Sequence, residues 1–450
     1  MRPISYRILR QARVIAAVFG VLALGACGSL LDTSPEDRVP DDKAIINAAG
    51  ARAALAGAYD GLQDDSYYGG EYLFFNDLIA DNAIHNGTFS EYADADQHLI
   101  QAANGSVALI WNALYDAISR VNLIIQKVPA LTDLDPVEKD QLLGEAYFLR
   151  ALHYHNLVRL WGGVPLRLVP PVTVDAASSI ARSTVGEVYT QILADLGEAE
   201  ARITNTAPTN RASVGAVKAL QMRVYLYQQN WAAANAEADE LIALGYALAP
   251  VFGDLFDAEG QDTPEDIFKL TFTDSDYQYI GYYYLSYNSG GRSEVAVDAN
   301  LIAVSDPADD RLAWGVNQNE SPAEGTKFPT PIGAEDVHVV RFAEVILAKA
   351  EAMARLNNLD SAVAEYNKIR VRALLPAHTL GVEVTTQQQV LDAIDLERRL
   401  ELAFEGDRFA DLVRTGLAQA VLGIPAYQEL LPIPLREIDV APNITQNPGY

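Results

Sequence analysis

The sequence has little cysteine and little positive charge, and each shortage excludes a class of protein. Cys27 is the single cysteine in 450 residues, so neither a disulfide framework nor a cluster of thiolate metal ligands is possible. Lys and Arg together number 33 against 60 Asp and Glu, and the formal net charge is −27. An acidic surface of this kind repels nucleic-acid phosphates, so we expect no nucleic-acid partner.

The sequence also lacks long apolar runs and the common catalytic motifs. The uncharged run 14–24 is shorter than the roughly 20 apolar residues that a membrane-spanning helix needs, and no later run reaches that length. Phosphate-binding loops, nucleophile elbows and His-Glu-x-x-His zinc motifs are absent from the sequence. His153 and His155 are two residues apart, a spacing that points them to different sides of a helix. We therefore predict no metal, no cofactor and no enzymatic activity.

The first residues have the pattern of an export signal. Four arginines in the first 13 residues precede the apolar run, which ends in small residues. The run closes with Leu24-Gly25-Ala26-Cys27, which resembles the lipobox of bacterial lipoproteins, in which the cysteine carries the lipid. We expect a signal peptide over 1–26, lipidation at Cys27 and a tether over 27–42. Gly28 replaces the aspartate that favours inner-membrane retention, so an outer-membrane anchor is expected.

Helical periodicity dominates the remaining sequence. Apolar residues recur every three or four positions, while Asp-Pro and Gly-Gly pairs mark helix ends. Two helix pairs, 213–244 and 336–373, alternate small and large residues as tetratricopeptide units do. We predict a mostly α fold, a tetratricopeptide-like helical solenoid in one domain over 43–450. The predicted helices cover about 41–63, 106–128, 136–161, 184–204, 213–229, 231–244, 336–356, 359–373, 387–404 and 407–414.

Residues 245–335 interrupt the helical pattern. They are rich in glycine, proline, aspartate and tyrosine, and six tyrosines fall between Tyr277 and Tyr287. Because helical periodicity fades here, we predict an irregular insertion made of loops with a few short strands.

Four segments of the chain resemble the SusD/RagB family, and together they span most of the residues after the signal. They occur in the order that the family has, behind the lipobox-like sequence. The segments are Glu145–Leu166, Val340–Ala352, Glu397–Arg414, and the terminal pair Leu431-Pro-Ile-Pro434 and Gln446-Asn-Pro-Gly-Tyr450.

The resemblance implies a helical scaffold with tetratricopeptide units and an irregular ligand-binding region. It also implies a partner, a SusC-like TonB-dependent outer-membrane transporter over which the lipoprotein sits as a lid. Glycans are the best-known ligands of the family, and peptides are a second class. The leading hypothesis is therefore a nutrient-binding lipoprotein of the outer membrane that faces the cell surface.

Aromatic side chains in loops are the candidate ligand contacts. The C–H faces of a sugar stack on aromatic rings, and its hydroxyls need amide, carboxylate or guanidinium partners. The stretches 82–92 and 282–292 supply both kinds of group, although the same tyrosines could instead pack the insertion onto the helices. The predicted ligand-binding residues are His85, Asn86, Phe89, Tyr92, Tyr283, Tyr284, Tyr287, Asn288, Arg292 and Trp314.

Glu397, Glu401 and Glu405 form a carboxylate ladder at helical spacing. A glycosidase needs two carboxylates that face each other across a sugar, and carboxylates stacked along one helix cannot provide them. We interpret the ladder as structural ion pairing, since Arg398, Arg399 and Arg408 lie nearby in sequence. The segment is then a buried fastening, with Asp411 and Arg414 available as partners.

Three other functions compete with glycan capture. They are peptide binding within the same family, surface glycoside hydrolysis, and a tetratricopeptide scaffold that binds only proteins. The missing facing carboxylates disfavour the hydrolase. The tyrosine-rich stretch 277–292 disfavours the scaffold, because protein assembly alone does not need it.

We predict that Cys27→Ala abolishes lipidation, because no other cysteine can accept the lipid. The variant should remain unprocessed or be released as soluble protein. Detergent partitioning and intact-mass measurement of the wild type and the variant test this. A mature wild-type chain without lipid on Cys27 would contradict the anchor.

Overall fold

The computed structural model describes residues 41–170, 179–206, 208–256 and 262–450. The predicted signal peptide 1–26, the lipidation site Cys27 and the tether up to residue 40 lie outside these residues. Residues 47–450 form one compact unit. Within the described residues, no helix combines the length and the hydropathy that crossing a membrane requires.

Helices are the dominant elements, and most of the ten predicted helices lie within two or three residues of their predicted bounds. In chain order they are α1 (Asp41–Ala44), α2 (Ala48–Asp60), α3 (Glu71–Leu78), α4 (Ser90–Asp96), α5 (Gly105–Lys127), α6 (Pro136–Trp161), α7 (Val185–Arg202), α8 (Val214–Tyr227), α9 (Trp231–Ala243), α10 (Ile280–Tyr284), α11 (Ala299–Val304), α12 (Asp310–Gly315), α13 (Phe342–Arg355), α14 (Leu359–Arg372), α15 (Gln387–Glu401), α16 (Arg408–Thr415), α17 (Ala418–Leu422) and α18 (Leu435–Val440).

Capping side chains explain where the long helices begin. Asn104, Asp135 and Thr184 each accept a hydrogen bond from a backbone N–H in the first turn, at α5, α6 and α7 respectively. The predicted helix 41–63 is wrong in its start. α1 is only one turn long, and Asn47 caps a separate helix, α2, by accepting a hydrogen bond from Gly50 N at 2.8 Å.

Strands are few and short in the described residues. They are β1 (Ala83–His85), β2 (Asp266–Leu270), β3 (Val295–Val297), β4 (Val316–Asn317), β5 (Glu324–Gly325) and β6 (Val337–Arg341). They pair antiparallel as β1 with β3, β2 with β6, and β4 with β5. The predicted helix 336–356 is wrong at its beginning, because residues 337–341 pair with β2 before α13 starts. The insertion holds loops and short strands as predicted, together with the short helices α10, α11 and α12.

Two helix hairpins correspond to the predicted tetratricopeptide-like pairs. α8 packs against α9, α13 packs against α14, and α9 also packs against α13. Ala234, Ala362 and Tyr366 are completely buried in these hairpins, which is the small-beside-large packing that the sequence predicts. The hairpins adjoin each other although the insertion separates them in sequence. The mostly α fold class is thus confirmed.

A buried ionic cluster joins the insertion to the C-terminal helices. Arg341 is 1% exposed and donates to Glu265 at 2.7 Å and to Glu401 at 2.5 Å. Arg311 and Arg372 also pair with Glu401. Burial opposes the ionisation of Glu401, but the positive charges of Arg372, Arg341 and Arg311 outweigh it and keep the Glu401 pKa below its ordinary value.

The carboxylate ladder is structural, as predicted, but its last member lies off the helix. α15 ends at Glu401, so Glu405 follows in the next turn. Glu405 accepts hydrogen bonds from Arg341 at 2.7 Å and from Lys327 at 2.8 Å. These cations overcome the effect of burial and lower the Glu405 pKa to about 2.

The ladder glutamates do not pair with the nearby arginines, whereas Asp411 is an ion-pair partner in this segment, as predicted. Arg398, from the same segment, bonds to Asp411 at 2.9 Å, while Arg399 and Arg408 pair with Asp81. The arginines that neutralise the ladder come from other parts of the chain, which helical spacing cannot reveal.

Arg341→Ala should destabilise the protein by about 3–5 kcal/mol, because it leaves buried carboxylates without their shared cation. Chemical denaturation followed by circular dichroism measures the loss. Arg120→Ala is a matched control, since Arg120 pairs with Asp60 at the surface and both side chains are largely exposed; its loss should stay below about 1 kcal/mol. Similar losses in the two variants would contradict a structural role for the cluster.

Candidate ligand-binding site

The structure brings the two predicted ligand-binding stretches together at one small sheet. β1 and β3 pair antiparallel, with His85 opposite Val295. Just beyond the sheet, the Asn86 N–H donates to the Glu294 carbonyl at 2.9 Å. Segments that are about 200 residues apart in sequence therefore meet at one place on the surface.

The Glu294 carboxylate positions the loop that carries Phe89. Its side chain is 1% exposed and accepts hydrogen bonds from Thr88 N at 2.5 Å, Phe89 N at 2.6 Å and Arg292 Nε at 2.8 Å. Gly87 permits this approach, because a Cβ there would lie 2.2 Å from the Glu294 carboxyl carbon. Burial opposes ionisation, but Arg292 and the two N–H donors lower the Glu294 pKa.

An open cavity of about 430 Å³ lies beside this loop, and we call it the aromatic cavity. The loop 61–70, α3, α4, the first turns of α5 and the α10 segment provide its walls. The lining residues are Asp65, Ser66, Glu71, Phe74, Phe89, Glu91, Tyr92, Gly105, Ser106, Leu109, Tyr279, Tyr282 and Tyr283.

The rings form a continuous wall in this cavity. Phe89 meets Tyr92 edge-on at 5.3 Å between centroids, Tyr92 lies 6.0 Å from Tyr283, and Tyr283 lies 5.7 Å from Tyr282. Tyr92 is only 6% exposed, and its hydroxyl is hydrogen-bonded to Glu71 and Tyr283. Phe89, Tyr282 and Tyr283 are partly exposed. These three rings can stack on a ligand, and the buried Tyr92 ring packs against Phe89 and Tyr283.

Carboxylates complete the wall of the aromatic cavity. Asp65, Glu71 and Glu91 line it, and no Lys or Arg is among its described lining residues. Burial raises the pKa of Glu71, although hydrogen bonds from Ser106 and Tyr92 favour the ionised form. The cavity is therefore suited to a neutral or cationic ligand with hydroxyl or amine donors, and it disfavours anions.

Tyr284 does not line the aromatic cavity. It is 2% exposed, its hydroxyl donates to Asp77 Oδ2 at 3.0 Å, and its ring lies 5.1 Å from Phe404. Burial raises the pKa of Asp77 to about 7, with Asn82 and Tyr284 opposing the shift through hydrogen bonds. The ligand contact predicted for Tyr284 is wrong, because this side of α10 packs into the core.

Three predicted residues support the cavity from its rim. His85 is half-buried, and its Nε2 lies 3.4 Å from the Glu294 carboxylate. Asn86 donates to Ser293 Oγ at 2.9 Å. Arg292 covers one face of Phe89, with its Cζ 4.2 Å from the ring centroid. These contacts hold the loop in place, and a direct ligand contact at the three positions stays a prediction.

The remaining predicted residues lie further from the aromatic cavity. Tyr287 is 77% exposed, and Asn288 donates to Glu320 at 3.0 Å. Trp314 is 49% exposed and packs over Gly253, where a Cβ would come within 2.2 Å of the indole. None of these three side chains lines the cavity, so a ligand would have to extend beyond it to reach them.

Sequence reasoning does not identify several lining residues. Tyr282 and Tyr283 follow Tyr279 by three and four residues, a spacing that brings both rings close to Tyr279 once a short helix is assumed. Glu71 and Phe74 belong to α3, which has only 8 residues and gives little periodic signal.

Two C-terminal arginines fasten the strand that leads into the site. Arg408 Nε donates to Asp81 Oδ1 at 2.7 Å, and Arg399 Nε donates to Asn82 Oδ1 at 3.1 Å. Asn82 in turn donates to Asp77 Oδ1 at 3.1 Å. The position of β1, and so of the Phe89 loop, depends on arginines far away in sequence.

Comparison with known proteins accords with this architecture. A SusD-like family profile described as "Starch-binding associating with outer membrane" matches residues 30–226, and the SusD family profile matches residues 329–429. A SusD-like protein of Formosa agariphila is 28% identical over 511 residues, which cover 98% of this chain and 100% of that protein. The chain belongs to the SusD/RagB family.

One further sequence relative and two solved structures show the same similarity. The starch-binding protein SusD of Bacteroides thetaiotaomicron is 28% identical over 44% of this chain and 34% of its own length. The structure of a laminarin-binding SusD-like protein matches with a TM-score of 0.77 at 26% identity, covering 90% of this chain and 100% of that one. A SusD superfamily protein of Bacteroides vulgatus, at 21% identity and a TM-score of 0.81, has the same fold over 90% of this chain and 99% of its own.

Proposed function

We propose that this protein binds neutral glycans at the cell surface and delivers them to a SusC-like TonB-dependent outer-membrane transporter. The aromatic cavity is the observation that carries this proposal. Its partly exposed rings, Phe89, Tyr282 and Tyr283, stand beside the carboxylates Asp65 and Glu91. Rings stack on the C–H faces of a sugar, while carboxylates accept hydrogen bonds from its hydroxyl groups.

The charge of the wall narrows the class of glycan. The aromatic cavity has three carboxylates and no cation among its described lining residues, so sulfated or uronate-rich chains would be repelled. The relatives named laminarin-binding and starch-binding support the same class, since both polysaccharides are uncharged glucose polymers. We therefore propose a neutral polysaccharide as the ligand.

Membrane location and partner complete the proposed function. The matching family profile is described as associating with the outer membrane, and the lipobox-like sequence at Cys27 would supply the anchor. A lipid-anchored protein and a barrel in the same membrane meet at high effective concentration, so a weak interface suffices for ligand transfer.

Hydrolysis and peptide binding are the alternatives that the cavity raises. Glu71 and Glu91 line the same cavity, which raises the question of hydrolysis. A glycosidase needs two carboxylates that act from either side of the scissile bond. Glu71 is hydrogen-bonded to Ser106 and Tyr92 and so belongs to the wall itself. A basic peptide would also suit an acidic wall. We propose binding without bond cleavage.

Phe89→Ala and Tyr282→Ala should each weaken the binding of laminarin-derived or starch-derived hexasaccharides roughly 3- to 10-fold, because each change removes a stacking surface. Isothermal calorimetry measures the Kd values, and melting temperatures should change little since both rings are partly exposed. Tyr287→Ala is the matched control, because Tyr287 is 77% exposed and lies outside the cavity. Tyr92→Ala should instead lower stability by about 3–5 kcal/mol, as truncation of a buried aromatic does.

Several outcomes would contradict this function. An unchanged Kd in both cavity variants would exclude the aromatic cavity as the binding site. Preference for a lysine-rich peptide over both hexasaccharides would favour the peptide alternative. Shortened sugars after prolonged incubation with rigorously purified protein would show a hydrolase.

Affinity capture of the full-length protein from native membranes should recover a large TonB-dependent barrel. The proposed reason is that ligand transfer needs physical contact between the two proteins. Mild detergent and mass spectrometry of the captured material provide the measurement, with Cys27→Ala protein as the control for membrane proximity. Repeated capture without any barrel, in the presence of a bound oligosaccharide, would argue against transporter delivery.

A further inference from the structure

A second cavity, larger than the first at about 570 Å³, adjoins the same loop 61–70. One face of α2 forms a wall, since Arg52, Ala56 and Tyr59 follow one another at spacings of four and three residues. Gln63, in the loop after this helix, also lines the cavity. α6 and residues 208–211 face it from other sides. We call it the polar cavity.

The charges that line the polar cavity are all paired. Arg52 donates to Glu138 at 2.5 and 2.8 Å, and Arg211 donates to Glu145 at 2.8 and 2.9 Å. The Tyr59 hydroxyl donates to the same Glu145 carboxylate at 2.6 Å. Two arginines and two glutamates are the charged residues among the described lining residues, so the cavity has no net charge.

The remaining lining groups favour a polyhydroxyl ligand. Gln63, Gln141 and Asn210 line the cavity with amide groups, although Gln63 Nε2 and Gln141 Nε2 also donate hydrogen bonds within the protein. Tyr59 presents a partly exposed ring. Amides and paired charges both donate and accept hydrogen bonds, as neighbouring hydroxyl groups require. An anion would have to displace a carboxylate from Arg52 or Arg211, whereas a neutral sugar can bind beside the intact pairs.

The two cavities lie within a few residues of each other along the loop. Gln63 lines the polar cavity, while Asp65 and Ser66 line the aromatic cavity. Backbone geometry limits the separation of their Cα atoms to about 7–11 Å. Gln63 Nε2 also donates to Thr271 O at 3.0 Å and to Asp276 Oδ2 at 2.9 Å, which ties the loop to the insertion. A short, braced ridge therefore separates the cavities.

We infer that the polar cavity is a second glycan subsite, and that one oligosaccharide chain crosses the Gln63–Ser66 ridge to occupy both cavities. This inference rests on the proposed glycan function of the aromatic cavity. A short oligosaccharide fills one cavity only. When one end of a longer oligosaccharide is bound in the first cavity, its other end is held close to the second cavity. The second contact is then intramolecular, and the affinity of the whole chain rises through effective concentration.

Calorimetry with laminarin-derived and starch-derived ladders of two to ten glucose units tests the inference. The wild-type Kd should fall by roughly 10-fold or more once the chain spans both cavities. Ala56→Trp places an indole in the polar cavity from an exposed position on α2. This variant should bind the short members like the wild type and lose the gain with length. Ala53→Trp is the matched control, because Ala53 is exposed on the same helix but does not line the cavity.

The controls separate failure of this subsite from failure of the glycan function. Asn210→Trp blocks the polar cavity from another wall. If Ala56→Trp lowers the melting temperature, the Asn210→Trp variant provides the test instead. A length-dependent gain that persists in both blocked variants, or a wild-type Kd that does not depend on length, overturns the second subsite alone. Failure of the wild type to bind any member of either ladder overturns the glycan function and the subsite together.

Discussion

The contact between Arg341 and its carboxylates is the constraint on which the rest of the structure depends. Glu265 comes from the insertion and Glu401 from the end of α15, so one guanidinium joins two regions distant in sequence. Burying these charges is costly unless every partner is present. We infer that the cluster favours this arrangement of the insertion on the helices over arrangements that would leave a buried charge without a partner.

From this fixed frame, smaller contacts extend outward to the ligand surface. Arg399 and Arg408 hold the residues before β1, and β1 pairs with β3. The Glu294 carboxylate then accepts hydrogen bonds from the backbone of the Phe89 loop and holds it in place. Each contact in this series positions the next one. The exposed rings are thus held in position before binding, which reduces the conformational entropy that a ligand would have to overcome.

The sequence predicts the long helices well because their periodicity and caps are local signals. Asp135 before Pro136 is sufficient to place the start of α6. Short elements such as α3 and α10 are too short to show a clear periodicity. Periodicity alone also does not separate α2 from α1. For the site, composition indicates two loops that the structure brings together, but Tyr283 and Tyr284 look alike in sequence and only packing distinguishes them. The ion-pair partners of the buried arginines are distant in sequence, so the spacing of residues along one helix does not predict them.

The distance in sequence between Asp81 and Arg408 has a consequence for folding order. These residues are 327 positions apart, and closing so long a loop carries an entropic cost that only a largely assembled structure can offset. Contacts of this range raise the contact order of the fold, and a higher contact order slows folding. We therefore expect the aromatic cavity to form late, and a chain truncated before α16 lacks the Arg408 contact that holds the residues before β1.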